Sequence, residues 1–473
     1  MRFMLLSLLA GMPVFAAKPN ILLICVDDLR PELKSLGAEH IHSPAMDSLV
    51  ESGRAFTRHY VHAPTCGASR HSLLTGRYAS TPKQQSNDAF FCAEARKPGL
   101  PPSLPAHFRS YGYQTVAIGK ISHHPGGLGG ENWDDPGQVE MPGSWDVNLM
   151  PTDPWKTPRG GMHGYAGGVP RGTYRPVREH NEGDDLTYTD GWITREALRR
   201  MDDLATAEKP FLLAVGIMKP HLPFACPKSY LDLYQNAKLP AIPHPKKPEG
   251  LSTWQSSGEF FGYHHEVKNP RDDAAYADQM RLSYAACVSY ADAQVAQILG
   301  HLEKLKLDSN TIVVLWGDHG YHLGEHAVWG KHTLFEESLH APLVIRKPGM
   351  PQAGARSRAV VESVDLYPTL CELAALPVPA GLSGQSIVSH LADPSRTDGE
   401  ALAYWQGKHT IRTSQYRLIR HARKGQPKEF ELYDHQSPER EAKNLAADLP
   451  EVVKELDALL EAKITGGRAG GER

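Results

Sequence analysis

An α/β fold with a large, mostly parallel sheet flanked by helices, followed by a smaller C-terminal α+β unit with an antiparallel sheet, is predicted by three features of this 473-residue chain. The first is a set of continuous apolar runs, Ile21–Val26, Phe211–Ile217 and Thr311–Trp316. Runs without a polar face suit central strands covered by helices on both sides. The second is the helical patterning between those runs. The third is a change after Leu382 to short alternating stretches, which suit an antiparallel sheet.

Taken in order, the chain opens on a targeting signal. Arg2 supplies a positive start, Phe3–Ala10 is apolar, and the small residues up to Ala17 offer a cleavage site before Lys18. The apolar run is too short to span a bilayer, and no later run reaches about 18 apolar residues. Residues 1–17 are therefore expected to be a signal peptide, and the mature protein secreted or periplasmic, without stable membrane insertion. Ser43, Pro44 and Gly53 bracket a helix with a Ser cap, Pro at its first position and Gly as its stop. Residues 125–185, rich in Gly, Pro, Trp and Asp, show no periodicity and suit either a lid over a site or a surface excursion. Tyr284–Leu305 carries Val288, Val295, Ile298, Leu299 and Leu302 as one helical stripe. Ala401–Trp405, His409–Thr413, Tyr416–Ile419 and Phe430–Tyr433 read as strands, and Val452, Val453, Leu456, Leu459 and Leu460 as the apolar side of a closing helix. The expected division is 18–381 for the larger domain and 382–473 for the C-terminal one.

Composition excludes several classes. Hydrophobic residues at 41% and charged residues at 22% rule out wholesale disorder. A net charge of −3 leaves no basic face for nucleic acid. The 24 histidines suit metal or proton chemistry, or simple surface scatter. None of the six cysteines forms a C-x-x-C pair, so a zinc cluster is not expected, while disulfides are open to an exported protein.

Two of the buried runs end in groups that carry chemistry. The first leads into Asp27-Asp28 and the last into Gly317-Asp318-His319-Gly320. In open parallel sheets, ligands bind beyond the carboxyl ends of the strands. Carboxylates converging there suit a hard divalent cation, since adjacent unpaired carboxylates repel. A helix cap or turn is the other reading of Asp27-Asp28 taken alone. A third piece is Cys66-Gly67-Ala68-Ser69-Arg70-His71-Ser72-Leu73-Leu74-Thr75-Gly76-Arg77. A helix starting near Ser69 would place Cys66 at a positive helix end beside Arg70, which lowers a thiol pKa. A buried, inert cysteine fits the same position.

The Cys66–Arg70 stretch and Leu74-Thr75-Gly76-Arg77 resemble the signature of type I sulfatases, in the alkaline-phosphatase superfamily. Asp27-Asp28, Gly119-Lys120, Asp318-His319-Gly320 and Glu431–Asp434 follow that family's order. Gly119–His123, Lys219–Phe224 and Leu323–His332 are most similar to its iduronate-2-sulfatase branch. Ala68 departs from the family's usual Pro, at a place read by the maturation enzyme.

The resemblance implies an alkaline-phosphatase-like fold and hydrolysis of sulfate esters. It implies that Cys66 becomes formylglycine through a formylglycine-generating enzyme, and that Asp27, Asp28, Asp318, His319 and the modified Cys66 hold one Ca²⁺. The hydrated aldehyde would attack sulfur. Arg70 and Lys120 would hold it, Lys331 would bind sulfate oxygens, His221 would protonate the leaving alcohol, and His123 would take the proton that releases sulfate. Histidine suits both proton transfers, its pKa lying near neutrality. The implied substrate is a sulfated oligosaccharide or polysaccharide, with a 2-O-sulfate on a terminal uronic acid as the finer expectation. A phosphoesterase or phosphonate monoester hydrolase would keep the same metal site. A non-catalytic glycan-binding protein would keep the pocket around an unmodified Cys66. For His124, His322, His326 and His332, pocket-lining, structural and surface roles all stand.

Overall fold

The computed structural model describes residues 18–79, 81–124, 126, 138–151, 158–168, 174–249, 257–421, 425 and 427–470. The expected signal peptide and parts of the irregular 125–185 stretch lie outside them. Eight strands form the main sheet: β1 (Asn20–Val26), β2 (Arg54–Phe56), β3 (Gln114–Gly119), β4 (Val147–Leu149), β5 (Phe211–Ile217), β6 (Thr311–Gly317), β7 (Leu343–Arg346) and β8 (Arg356–Ser357). Their spatial order is β8-β2-β7-β6-β1-β5-β3-β4, and β7 alone runs antiparallel to its neighbours. The three apolar runs singled out in the sequence, now β6, β1 and β5, lie side by side and are buried along their whole lengths.

Alternation along β1 builds two cores. Leu22, Ile24 and Val26 face one hydrophobic cluster, and Ile21, Leu23 and Cys25 the other, as the two-residue period of a strand requires. The first cluster is roofed by α1 (Pro44–Ser52), and the second by α2 (Cys66–Thr75). Helices α3 (Thr189–Ala205) and α4 (Ala274–Lys304) lie on the same side as α1, and α4 buries Val288, Val295, Ile298, Leu299 and Leu302 as its stripe predicts. Ser43 does precede α1, but its hydroxyl is turned to Asp47 Oδ2 (3.1 Å) rather than to the helix end. The Asp292 carboxylate of α4 caps α1 instead, accepting from Ala45 N (3.1 Å) and Met46 N (2.7 Å).

The described part of residues 125–185 is less irregular than expected. Val147–Leu149 adds the edge strand β4 beside β3, and Arg178–Glu179 pairs with Phe224–Ala225. Arg178–Glu179 thus lies alongside the end of the loop that carries His221.

The C-terminal sheet is antiparallel in chain order: β9 (Ala401–Trp405), β10 (Lys408–Arg412), β11 (Tyr416–His421) and β12 (Glu429–Asp434). One face packs Leu402, Ile411, Leu418 and Leu432 against Val453, Leu456, Leu460 and Ile464 of the closing helix α5 (Pro450–Gly470). The other packs Ala401, Ala403, Ile419 and Tyr433 against Leu334, Phe335 and Leu339. All six cysteines are buried and unpaired. Among the described residues, no helix is long and apolar enough to cross a membrane.

Candidate active site

Parallel register brings the acidic residues together. Val26 of β1 pairs with Gly317 of β6 and Ile217 of β5, so Asp27 and Asp318 leave the sheet side by side at its carboxyl edge. The ladder persists one residue further: Asp27 N donates to Ile217 O (3.1 Å) and Asp318 N to Val26 O (3.3 Å). Asp28 then turns into the left-handed region, φ 57°, which an aspartate enters at some cost. Its backbone is held there from both sides, Asp28 N donating to Asp318 Oδ1 (2.9 Å) and Tyr284 OH to Asp28 O (2.7 Å).

Cys66 is the first residue of α2, three positions earlier than the helix start expected at Ser69. The close approach that puts it there requires Gly67, where a Cβ would lie 2.3 Å from the Asn87 Cα. Asn87 Oδ1 accepts from Gly67 N (3.1 Å), satisfying one free donor of the first turn. One turn on, Arg70 is fully buried, with Asp318 at 3.0 Å, Asp27 at 3.3 Å and the carbonyls of Lys120 and Ile121 accepting from it. The expected acidification of Cys66 is not what the structure gives. Burial, reinforced by the Asp27 charge, pushes the thiol well above its usual range despite Lys120 and Lys331.

The cations arrive from separate elements. Lys120 follows β3 and ion-pairs with Asp27 Oδ2. Lys331 Nζ lies 2.9 Å from Asp28 Oδ1 and 3.5 Å from Cys66 Sγ. Burial would lower the Asp27 carboxyl's acidity, but Lys120, His221 and Arg70 outweigh it and hold the group well below the ordinary carboxylate range. Burial would likewise discharge Lys331, and Asp28 and Cys66 keep it protonated. His319 donates Nδ1–H to Gly320 O (3.0 Å), so in the neutral ring the lone pair lies on Nε2, 3.2 Å from Cys66 Sγ and 3.3 Å from Asp28 Oδ1. Asp27, Asp28, Cys66, Arg70, Lys120, Asp318, His319 and Lys331 thereby form one contact network. His221 joins it through Glu259, which lies 3.4 Å from His221 Nε2 and 3.2 Å from Lys331 Nζ. His123, three residues after Lys120, is buried, and burial with the Lys120 charge pushes its pKa well down.

The other histidines singled out in the sequence have packing and hydrogen-bond partners of their own. His322 is tied to Glu325 O (3.2 Å) and Thr333 Oγ1 (2.9 Å), and His326 packs on Phe335, with ring centroids 4.7 Å apart. His332 stacks on Trp405 at 5.1 Å, and His124 lies 3.0 Å from Asp88. Three acids absent from the sequence reading support the site. Asp190 accepts from Met218 N (2.7 Å) and Lys219 N (2.9 Å), fixing the start of the His221 loop. Glu140 accepts from His124 N (2.9 Å) beside His123, and Glu259 spans His221 and Lys331. Asp190 could have been noticed as an acid in a helix's first turn, whereas Glu140 and Glu259 lie in no motif.

The donor set fits a hard divalent cation. One ligand atom from each of Asp27, Asp28, Cys66 and His319 lies within 4.8 Å of the others. Beside them Asp318 is squeezed: burial and the Asp27 charge push its carboxyl pKa up, a repulsion that a cation relieves.

Buried carboxylates, a helix-borne cysteine and lysine ammonium groups at the carboxyl edge of a parallel sheet define a hydrolase of anionic esters. The comparisons specify it. The sulfatase family matches residues 19–376, and the C-terminal family of N-sulphoglucosamine sulphohydrolase matches residues 324–468. Human iduronate 2-sulfatase is 30% identical over 400 residues, covering 76% of this chain and 70% of that protein. A structure solved in complex with its substrate, D-glucosamine-2-N,6-O-disulfate, superposes with TM-score 0.71 at 21% identity, covering 96% of this chain and 98% of that one. A phosphonate monoester hydrolase from Silicibacter pomeroyi superposes with TM-score 0.75 at 22% identity, covering 96% of each chain. The chain belongs to the sulfatase family, as a type I sulfatase of the alkaline-phosphatase superfamily, and is a sulfuric ester hydrolase.

Proposed function

We propose that this chain is an exported sulfatase that removes a sulfate ester from a sulfated sugar, a 2-O-sulfate on a terminal uronic acid, using a formylglycine made from Cys66 and one bound Ca²⁺. The observation that carries the reading is the placement of Cys66 Sγ, 3.2 Å from His319 Nε2 and 3.5 Å from Lys331 Nζ, among three buried carboxylates. As a hydrated aldehyde, residue 66 supplies the attacking oxygen. Calcium, held by Asp27, Asp28, Asp318, His319 and residue 66, supplies Lewis-acid polarisation of the sulfuryl oxygens when bound.

The chain's own residues do the rest. Lys331 points its ammonium at residue 66 and meets the sulfate oxygens as charge develops on them. Arg70, locked by two carboxylates and two carbonyls, fixes the start of α2 and so the position of the nucleophile. Lys120 neutralises Asp27. His221 gives a proton to the leaving alcohol oxygen, and His123, held neutral by burial and by Lys120, accepts the proton released as sulfate departs.

The 30% identity to human iduronate 2-sulfatase supports the uronic-acid substrate, and the complex with a glucosamine disulfate supports a sulfated sugar more broadly. Residues 1–17 are proposed as the export signal, 18–381 as the catalytic domain and 382–473 as the C-terminal domain. The phosphonate monoester hydrolase likeness keeps a second reading, a phosphoesterase or phosphonate hydrolase, which paired sulfate and phosphate esters of one alcohol separate by rate.

The experiment is peptide mass spectrometry across Cys66, on protein made with a formylglycine-generating enzyme. The formylglycine mass is expected, as is loss of turnover in Cys66→Ala with an unchanged melting curve. An intact cysteine in active protein, or near-normal turnover in Cys66→Ala, overturns the mechanism.

A further inference from the structure

Tyr321, two residues after His319, is fully buried in an aromatic cluster that ties the functional loops together. Its ring stacks on Tyr284 of α4 (centroids 6.2 Å apart, planes 23° apart) and stands edge-on to Phe224 of the His221 loop (6.1 Å, 72°). Its carbonyl accepts from Arg30 Nη1 at 2.9 Å. Phe224 packs in turn on Phe260 (6.3 Å), the residue after Glu259, and Phe260 on Trp329 (5.2 Å), two residues before Lys331.

The packing accounts for an aromatic ring at this position and not for its hydroxyl. Tyr321 Oη is buried, and among the described residues it has no hydrogen-bond partner. The contrast with Tyr284 is direct, since that equally buried hydroxyl donates to Asp28 O (2.7 Å) and accepts from Arg30 N (2.9 Å). An unmet hydroxyl in a packed interior is costly, and a phenylalanine would fill the same ring space without it. The charged groups that act on the Tyr321 hydroxyl are Glu259, Asp28 and Lys331. These three meet beside residue 66: Lys331 Nζ lies 2.9 Å from Asp28 Oδ1, 3.2 Å from Glu259 Oε2 and 3.5 Å from Cys66 Sγ.

We propose that Tyr321 is a further substrate-contacting residue: its hydroxyl donates a hydrogen bond to an oxygen of the sulfate group held by Lys331. The proposal rests on the reading of Lys331 as the sulfate-binding cation. The non-bridging oxygens of a sulfate ester only accept, and a phenol is an O–H donor at neutral pH. Asp28 and Glu259 already draw on the Lys331 ammonium, so a neutral donor that no protein group claims suits a remaining sulfate oxygen.

The test pairs kinetics with stability on matured, calcium-loaded wild type, Tyr321→Phe and Lys331→Ala. Tyr321→Phe is expected to lower kcat/KM about 10- to 100-fold on 4-nitrophenyl sulfate and on a sulfated disaccharide alike, as loss of one hydrogen bond to a charged group does. It is also expected to raise the inhibition constant of inorganic sulfate. Without ligand its urea midpoint should equal or exceed that of wild type, because the fold loses no hydrogen bond. That split separates a substrate contact from a structural one. Unchanged kinetics in Tyr321→Phe, or a lower midpoint alongside the loss, overturns the proposal. A loss confined to the disaccharide overturns it too, because the hydroxyl would then meet the sugar rather than the sulfate. If Lys331→Ala also leaves kcat/KM and sulfate inhibition unchanged, the sulfate site assigned to Lys331 falls as well; if Lys331→Ala is impaired and Tyr321→Phe is not, only the role of Tyr321 falls.

Discussion

Lys331 is an ammonium group kept charged in a place that should discharge it. Its side chain is 3% exposed, and Asp28, Cys66, Glu259 and Asp27 stand against the desolvation penalty. A residue maintained at such cost beside the nucleophile position should matter most when sulfate charge develops. Lys331→Ala is expected to lower kcat/KM on a sulfate ester by about 10²–10³-fold, the usual loss of one donor aimed at a developing anion. Steady-state kinetics check it, and unchanged kcat and KM would remove Lys331 from the site. This residue was legible because it lies in a motif, and Asp27, Asp28, Asp318 and His319 because they end apolar runs. Glu259 was not, because its meaning comes from two partners, 38 residues before it and 72 residues after it, brought together only by the packing of Phe260.

At the scale of elements, the site depends on where strands stop. β3 and β5 lie so close at their ends that a Cβ on Gly216 would meet Lys120 O at 2.1 Å, and one on Gly119, at φ +80°, would meet Gly216 O at 2.3 Å. Backbone cannot yield there as a side chain could, so a methyl group must push β3 aside and carry Lys120 with it. Gly216→Ala is expected to cost about 1–3 kcal/mol, as overpacking of a dense core does, and to reduce turnover further by loosening the Lys120–Asp27 pair. Urea denaturation beside steady-state kinetics measures both, and full stability with full activity would contradict the close approach. The central strands were readable from their apolar runs, since burial on both faces leaves a signature in composition. The edge strand β4 was not, because Val147–Leu149 is half-buried and draws its order from pairing with Val116–Ile118. The capping of α1 by Asp292 was hidden for the same reason, the donor and acceptor being 246 residues apart.

At the scale of the molecule, the C-terminal sheet buttresses the segment that follows Lys331. Beyond the apolar contacts of Phe335 and Leu339, a buried polar junction joins them. Glu441 Oε2 accepts from Glu336 N (2.7 Å), Glu441 Oε1 lies 2.6 Å from Arg417 Nε, and Glu336 Oε2 lies 2.7 Å from Arg417 Nη2. Glu441 and Arg417 are almost fully buried, so removing one partner strands a charge: Glu441→Ala should cost about 3–5 kcal/mol. The junction also has a pH signature. Burial alone would raise the Glu441 carboxyl, but Arg417 and His435 outweigh it and bring it down from the ordinary 4.5 to about 2. A carboxyl acidified by folding contributes stability that is fully present above its unfolded pKa and lost as pH falls toward the folded one. Urea midpoints of wild type and Glu441→Gln should therefore converge between pH 5 and pH 2, because the glutamine cannot titrate and lacks that loss. Acids remote from the junction titrate in both proteins and cancel in the comparison, whereas Glu337, which burial and the Glu441 charge push up, shifts with the substitution. A difference that stays constant down to pH 2 would mean that folding does not acidify Glu441.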